Sequence, residues 1–382
     1  MRRFTLPLAI VAVLALTLAA AAGCGSSSGG SSGGSSQPSA ASTNHTPVTL
    51  TVWHPWTVSS EKKGFQRAVA GFHTQYPWIT LHIVSFPDST TFDQQVIKAV
   101  EAGGGPDVAI TFSPDTVGQY AHDGLLVDLN PYLQRDHLST GTFAPASLTY
   151  TQFEGKRVVL PVLTDAYGLY YNKDMFAKYG IAVPTTMDEF VAALQKFKDN
   201  GITPMAESAA EYPLGQLWYQ LALTKANRSW VNDYQLYTGN VDWHAPELSY
   251  ATQTVSDWVN KGYISKDATG LKAEDAGTAF EAGKYPLFFS GSWWYNRFTT
   301  EIKNYQWGTF LFPAKMSPGS AGNMWVVPTS AKNKDLAYKF IDITMSPKIQ
   351  ALMGNNGGIP VAANASDITD PRSKELIDNF TI

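Results

Sequence analysis

The sequence predicts an α/β protein of two lobes, each a mainly parallel sheet flanked by helices, joined by crossing strands. Three observations carry this. Short strand-like runs alternate with amphipathic helical stretches over residues 48–130, which is the pattern of a largely parallel sheet. A long apolar run over residues 160–176, LPVLTDAYGLYYNKDMF, interrupts that pattern, and its Pro161 resists inclusion in a central strand and pre-sets an extended path. A second such run over 307–313 follows a helix-rich block, so the chain passes between lobes more than once. With 382 residues there is enough chain for two domains and a large core.

The elements follow in order. Residues 48–53, VTLTVW, alternate apolar and polar as a strand does. Ser59 or Ser60 then caps a helix with Phe65, Ala68, Val69, Phe72 and Tyr76 on one face, ended by Pro77. A strand over 79–86 and a helix marked by Phe92, Val96, Ala99 and Val100 come next, closed by three glycines at 103–105. These glycines precede a strand, over 107–112, and lack the GK[ST] ending of a phosphate loop. Ser113-Pro114-Asp115 opens another helix with a cap, a first-turn proline and an acid at the positive end of the dipole. Past the crossing, Thr186 and Glu189 form a capping box ahead of Phe190, Ala193, Leu194 and Phe197. Residues 204–263 read as helices. A strand over 286–290 leads into Gly291-Ser292-Trp293-Trp294, and after the second crossing come a strand over 323–328 and a helix over 335–345.

The N-terminus has a different composition. Met1-Arg2-Arg3, an apolar run over 6–22 and then small residues describe an export signal rather than a permanent span. Ala21-Ala22-Gly23-Cys24 resembles a lipobox, so Cys24, the single cysteine, is expected to carry lipid after cleavage; no disulfide framework is possible within the chain. Loss of residues 1–23 removes two arginines, and the formal charge of −4 becomes −6. Residues 25–47 are a Ser/Gly tether that buries nothing, with ends about 26 Å apart on average. No basic face argues for nucleic acid. Eleven tryptophans suit stacking on sugar rings, though large cores use them too.

Several short motifs resemble one family. They are Gly105-Pro106-Asp107-Val108, Gly124-Leu125-Leu126-Val127-Asp128-Leu129, the run from Gly168 to Phe176 with its Tyr171-Asn172-Lys173-Asp174, the segment VPTTMDEF at 183–190, AFEAGK at 279–284 followed by Gly291-Ser292-Trp293-Trp294, and Gly357-Gly358-Ile359-Pro360-Val361. Their order and spacing over residues 48–361 resemble the extracellular solute-binding proteins of bacterial sugar ABC importers, the maltodextrin-binding type. That resemblance implies a two-lobed periplasmic-binding-protein-like fold of type II. It implies a monomeric receptor, lipid-anchored at the outer face of the cell membrane, that captures a sugar in an interlobe cleft and hands it to permease subunits, with no cofactor and no catalysis. The expected partition is residues 48–160 and 311–345 in the first lobe, and 161–310 and 346–382 in the second. Members usually continue further past the Gly-Gly-Ile-Pro turn, so the second lobe is expected to be minimal or cut short.

A sugar site needs planar hydrogen-bonding groups and aromatic faces, collected at the carboxyl ends of strands. That rule selects Trp53, His54 and Trp56 after the first strand, Ser113 and Asp115 after the third, and Asp165 and Tyr167 at the crossing. In the second lobe it selects Glu211, Tyr212 and Trp218, with Trp293 and Trp294 at the Gly-Ser-Trp-Trp strand end; Asn323 and Trp325 come from the returning segment. Positions matching the family's contacts are Trp56, Ser113, Asp115, Asp165, Glu211, Tyr212 and Trp293. Each has a plainer reading beside it: a helix cap for Asp115, a capped strand acid for Asp165, core packing for His54, Trp53 and Trp218. No HExxH, P-loop or cysteine nucleophile is present, and the GxSxG-like match lies in the tether. A secreted carbohydrate-active enzyme or lectin stays open, as does a receptor for glycerol phosphodiesters or, through Tyr170-Tyr171, for ferric ion. Adjacent strand residues point to opposite faces, which argues against that last site.

Overall fold

The computed structural model describes residues 46–56, 61–86, 89–111, 114–135, 148, 151–236, 241–314, 316, 319–320, 322–362 and 365–380. The expected caps at Ser59 and Ser60, Cys24 and all of the tether before Thr46 lie outside them.

The first lobe is built on β1 (Val48–His54), α1 (Glu61–Gln75), β2 (Ile79–Ser85), α2 (Ser89–Glu101), β3 (Val108–Thr111), α3 (Pro114–His122) and α4 (Asn130–Arg135). The small hairpin β4 (Gln152–Phe153) and β5 (Lys156–Arg157) precedes β6 (Leu160–Pro161). The second lobe takes β7 (Leu163–Asn172), α5 (Lys173–Lys178), α6 (Met187–Asp199), β8 (Met205–Ala206), α7 (Pro213–Leu223), α8 (Arg228–Leu236), α9 (Pro246–Lys261), α10 (Ala273–Glu281), β9 (Leu287–Gly291), α11 (Tyr295–Glu301) and β10 (Trp307–Phe310). The chain returns through β11 (Gly319–Ser320), β12 (Met324–Val326), α12 (Lys334–Thr344) and α13 (Pro347–Gly354), then β13 (Ile359–Pro360) and α14 (Pro371–Phe380). Among the described residues no helix is long and apolar enough to cross a membrane.

Both sheets are mixed rather than mainly parallel. The first runs β2-β1-β3-β12-β6, with β1 parallel to β2 and β3, and the returning β12 antiparallel to β3 and β6. Pro161 sits in β6 at the sheet edge, where its missing N–H disturbs no ladder. The second runs β10-β7-β9-β8, and only β8 and β9 are parallel. Strands that enter and leave a lobe through the crossings run in opposite senses, and this mixes the sheets.

Strand alternation sorts the second lobe's core onto two faces. Leu169 of β7 with Leu287 and Phe289 of β9 joins Leu217 and Leu221 of α7 on one face. Tyr170 and Phe288 join Phe280, Trp294 and Phe298 on the other. Thr186 and Glu189 make the predicted capping box, with Glu189 N–H donating to Thr186 Oγ1 at 3.2 Å and Thr186 N–H donating to Glu189 Oε2 at 3.2 Å.

Two expected lobe boundaries shift. Phe312 lies in the second lobe's core against Phe190 and Phe289, so the return begins after it rather than at Leu311. Helix α13 packs on α1 and places Ile349 and Met353 in the first core, so Ser346 does not start a second-lobe segment. The following β13 pairs with Leu163 and Thr164 of β7, with Ile359 in a second-lobe core and Val361 still in the first.

Candidate functional site

Strand β7 carries the site because two chain reversals meet on it. Its first residues pair with β13 and β11, the latter setting Ser320 opposite Asp165; its middle pairs with β9, setting Gly291 opposite Tyr167. Directly after Gly291 the chain turns through Ser292–Trp294, which brings Ser292 back beside Asp165. Ser292 Oγ donates to Asp165 Oδ1 at 3.2 Å. The Trp293 ring lies over Gly291, where any Cβ would overlap it, so a close approach of ring to backbone requires glycine there.

Three aromatic residues cluster around this turn. Trp293, half-buried, stands edge-on to Tyr167 at 5.5 Å and to Tyr212 at 5.9 Å between ring centroids. Its Nε1–H donates to the Tyr212 hydroxyl at 3.3 Å, and burial pushes that phenol's pKa well above its ordinary value. Tyr167 stacks on Phe289 and accepts a hydrogen bond from Gln216 Nε2 at 3.3 Å. The result is a partly exposed set of rings with a carboxylate at its edge, held on the ends of β7 and β9 and the start of α7. Rings of this kind offer an apolar platform, and Asp165 offers charged acceptor oxygens.

Of the residues singled out in the sequence, Asp165, Tyr167, Tyr212 and Trp293 are therefore brought together. Trp56 and Asn323 form a separate first-lobe pair. Trp56 Nε1–H donates to Asn323 Oδ1 at 2.8 Å, both side chains are buried, and the Asn323 carbonyl accepts from Val162 N–H at 2.7 Å, which ties the pair to the crossing. His54 is buried beside them; its Nδ1 accepts the Trp56 N–H at 3.0 Å, and burial lowers its pKa to about 4. Trp53 lies against Phe86 in the first core, and Trp218 donates to Thr252 between α7 and α9. Ser113 lies outside the described residues, and for Asp115 only its backbone, in α3, is described.

Three expected contacts are corrected. Trp325 has no exposed surface; its ring packs on Trp56 and Phe340 and its Nε1–H donates to Thr344 Oγ1 at 2.8 Å, so it is core. Trp294 is 3% exposed, stacked on Phe298 and seated in the gap left by Gly277. Glu211 accepts from Ala273 N–H at 2.9 Å and pairs with Lys272 at 3.9 Å, so it caps α10. Tyr170 and Tyr171 face opposite cores, and the Tyr170 hydroxyl donates to the Gly291 carbonyl at 2.8 Å, so they do not form a metal pair. Sequence reasoning missed Ser292 and Gln216. Ser292 was signalled by the Gly-Ser-Trp-Trp turn; Gln216 carried no pattern of its own.

Residues 57–351 match the family described as bacterial extracellular solute-binding protein. The chain belongs to that family. It is similar to the multiple sugar-binding protein of Streptococcus mutans, 25% identical over 78% of this chain and 71% of that one. A putative binding protein of Brucella abortus is 24% identical over 78% of this chain and 72% of its own length. Among solved structures, a chitin oligosaccharide binding protein superposes with a TM-score of 0.74 at 23% identity, covering 87% of each chain. The maltose-bound MalE3 of T. maritima gives 0.72 at 23% identity, covering 87% of this chain and 88% of that one. The two-lobed solute-binding fold is shared with both solved structures, and the family is one of binding proteins that act outside the cell.

Proposed function

We propose that this protein captures a sugar or oligosaccharide between its lobes and delivers it to the permease of an ABC importer, without covalent chemistry. The observation that carries the reading is the Asp165, Tyr167, Tyr212 and Trp293 cluster at the foot of the crossing. Trp293 stacks on the apolar face of a pyranose ring and Asp165 accepts from its hydroxyls. The ligand touches both lobes only when they are closed, so binding shifts the population toward the closed form. The multiple sugar-binding relative and the chitin-oligosaccharide, maltose and raffinose neighbours support this choice of ligand class. Residues 1–23 serve as the export signal and Cys24 as the lipid anchor at the end of the tether, holding the receptor at the outer face of the membrane; Cys24→Ser would release it there or leave its precursor unprocessed.

The test is a thermal-shift screen of the mature domain against maltose, raffinose, xylo-oligosaccharides, chitin oligosaccharides and D-galactose. A ligand that binds only the native state at a hundred times its Kd adds about 2.7 kcal/mol of stability, so a true ligand raises the melting temperature. A protein that melts identically with every sugar, or that hydrolyses one of them, rejects the reading.

A further inference from the structure

One buried acid lies behind this cluster with no assigned task. Glu207 follows Ala206 of β8, is 4% exposed, and its carboxyl oxygens find no side-chain partner, with only the neighbouring Ser208 N–H close to them. Alternation puts Glu207 on the same face as Met205, beside Phe289, the face covered by α7 and by Phe312. Buried polar groups left without partners are rare in native proteins.

Helix α7 poses the complementary problem. Gln220 is fully buried and its Nε2 donates to the Met316 carbonyl at 3.0 Å. A carbonyl can only accept, so the orientation of this amide is fixed and its Oε1 is left without a donor. One turn earlier, Gln216 spends its Nε2 on Tyr167, and its Oε1 is also orphaned. The Ser290 hydroxyl, next to Phe289 on β9, alternates to the opposite face, and the Tyr219 ring lies against Tyr234 of α8. The face thus holds acceptors from α7 and an acid from β8. An ionised carboxylate would add two more acceptors; a protonated one supplies the missing donor.

We propose that Glu207 is an un-ionised hydrogen-bond donor that positions α7, and through Gln216 and Gln220 fixes Tyr167 in the site and the bond from α7 to the Met316 carbonyl. Burial pushes its carboxyl well above the ordinary glutamate range, and the Ser208 N–H opposes this only in part. The titratable groups on the elements that pack here are Tyr167 and Tyr171 on β7, Tyr219 on α7, Tyr263 after α9, the exposed Lys266 and Asp267 of the turn whose Ala268 carbonyl accepts the Ala209 N–H, and Glu211, whose carboxylate is held by Ala273 and Lys272. Helix α7 carries no Asp, Glu, Lys, Arg or His, and Asp257 and Lys261 of α9 are exposed, with Glu247 at its far end. The inference rests on the sugar-site reading only for its effect on binding.

Its test uses Glu207→Gln, whose amide still donates, and Glu207→Leu, which cannot. The wild type minus Glu207→Gln infrared difference at pH 7 should show the C=O band of a protonated carboxylic acid. The wild type should lose stability relative to Glu207→Gln as pH rises above the ordinary glutamate range, because the unfolded chain releases a proton that the folded chain keeps. Amides of α7 should keep hydrogen-exchange protection in Glu207→Gln and lose at least tenfold in Glu207→Leu, with maltose, raffinose or chitin-oligosaccharide affinity falling in parallel. A carboxylate band in place of the acid band, a stability difference flat with pH, or equal α7 protection in both variants overturns the proposal. A wild type that binds none of these sugars rejects the sugar reading instead, and the infrared and exchange results still decide the role of Glu207.

Discussion

Trp293 and Trp294 are neighbours in sequence with opposite surroundings, and exchanging each for alanine separates site from core. Trp294 is 3% exposed, packed on Phe288 and Phe298, with Arg297 over its ring at 4.8 Å. A tryptophan that buries roughly 200 Å² at about 25 cal/mol per Å² contributes about 5 kcal/mol, an upper bound because the unfolded chain also shields some surface. Measured truncations of buried aromatics cost about 3–5 kcal/mol, in agreement. Trp294→Ala should therefore lower the urea midpoint sharply while any protein still folded binds sugar normally. Trp293 is half-buried and stands edge-on to Tyr167 and Tyr212. Removing a stacking partner costs on the order of 1–3 kcal/mol by analogy with base–aromatic stacking. Trp293→Ala should thus weaken binding roughly ten- to a hundredfold and leave the midpoint close to wild type. Calorimetric titration beside urea denaturation reads both quantities. Full-strength binding in a folded Trp293→Ala variant, or an undiminished midpoint in Trp294→Ala, refutes the assignment.

Three further outcomes are expected. Asp165→Asn keeps the shape but loses the charge, and should cost about 1.5–3 kcal/mol of binding, read by titration. Folded His54 titrates near 4, below its unfolded value, so it is neutral in the native protein; its stabilisation is complete above about pH 6.5 and falls away between there and pH 4, on the order of 3 kcal/mol in all, and His54→Gln should flatten that acid limb in a series of melting curves. Gly322 has φ +62° and a Cβ there would overlap the Leu163 carbonyl, so Gly322→Ala should lose at least the roughly 1–2 kcal/mol of a left-handed non-glycine residue, seen as a lower melting temperature.

What was legible in the sequence follows physical range. Local signals were sufficient for β1, for the Thr186–Glu189 cap, and for Pro161 as a chain-crossing residue at a sheet edge. Asp165 and Trp293, which the structure brings to one turn, were selected as candidates from a lone acid in an apolar strand and a glycine before a tryptophan, both readable within a few residues. Trp294 and Trp325 look the same as Trp293 in such a window. Their burial depends on Gly277 and Thr344, which are distant in sequence and carry no local mark. Glu211 was misread for a similar reason, because the helix it caps begins 62 residues later. The strand senses were set by the returning chain, which periodicity cannot report.

Strand β7 is a single rod of ten residues with two sets of neighbours: β13 and β11 along its first four, β9 and β10 along the rest. Asp165 and Tyr167 sit on either side of the join. A twist applied by the return strands at one end reaches these two side chains along continuous backbone, with no linker to absorb it. Changes in the pairing at Gly319–Ser320, directly across from Asp165, or at Ile359–Pro360, across from Thr164 and Leu163, therefore act on the same strand that carries Asp165 and Tyr167.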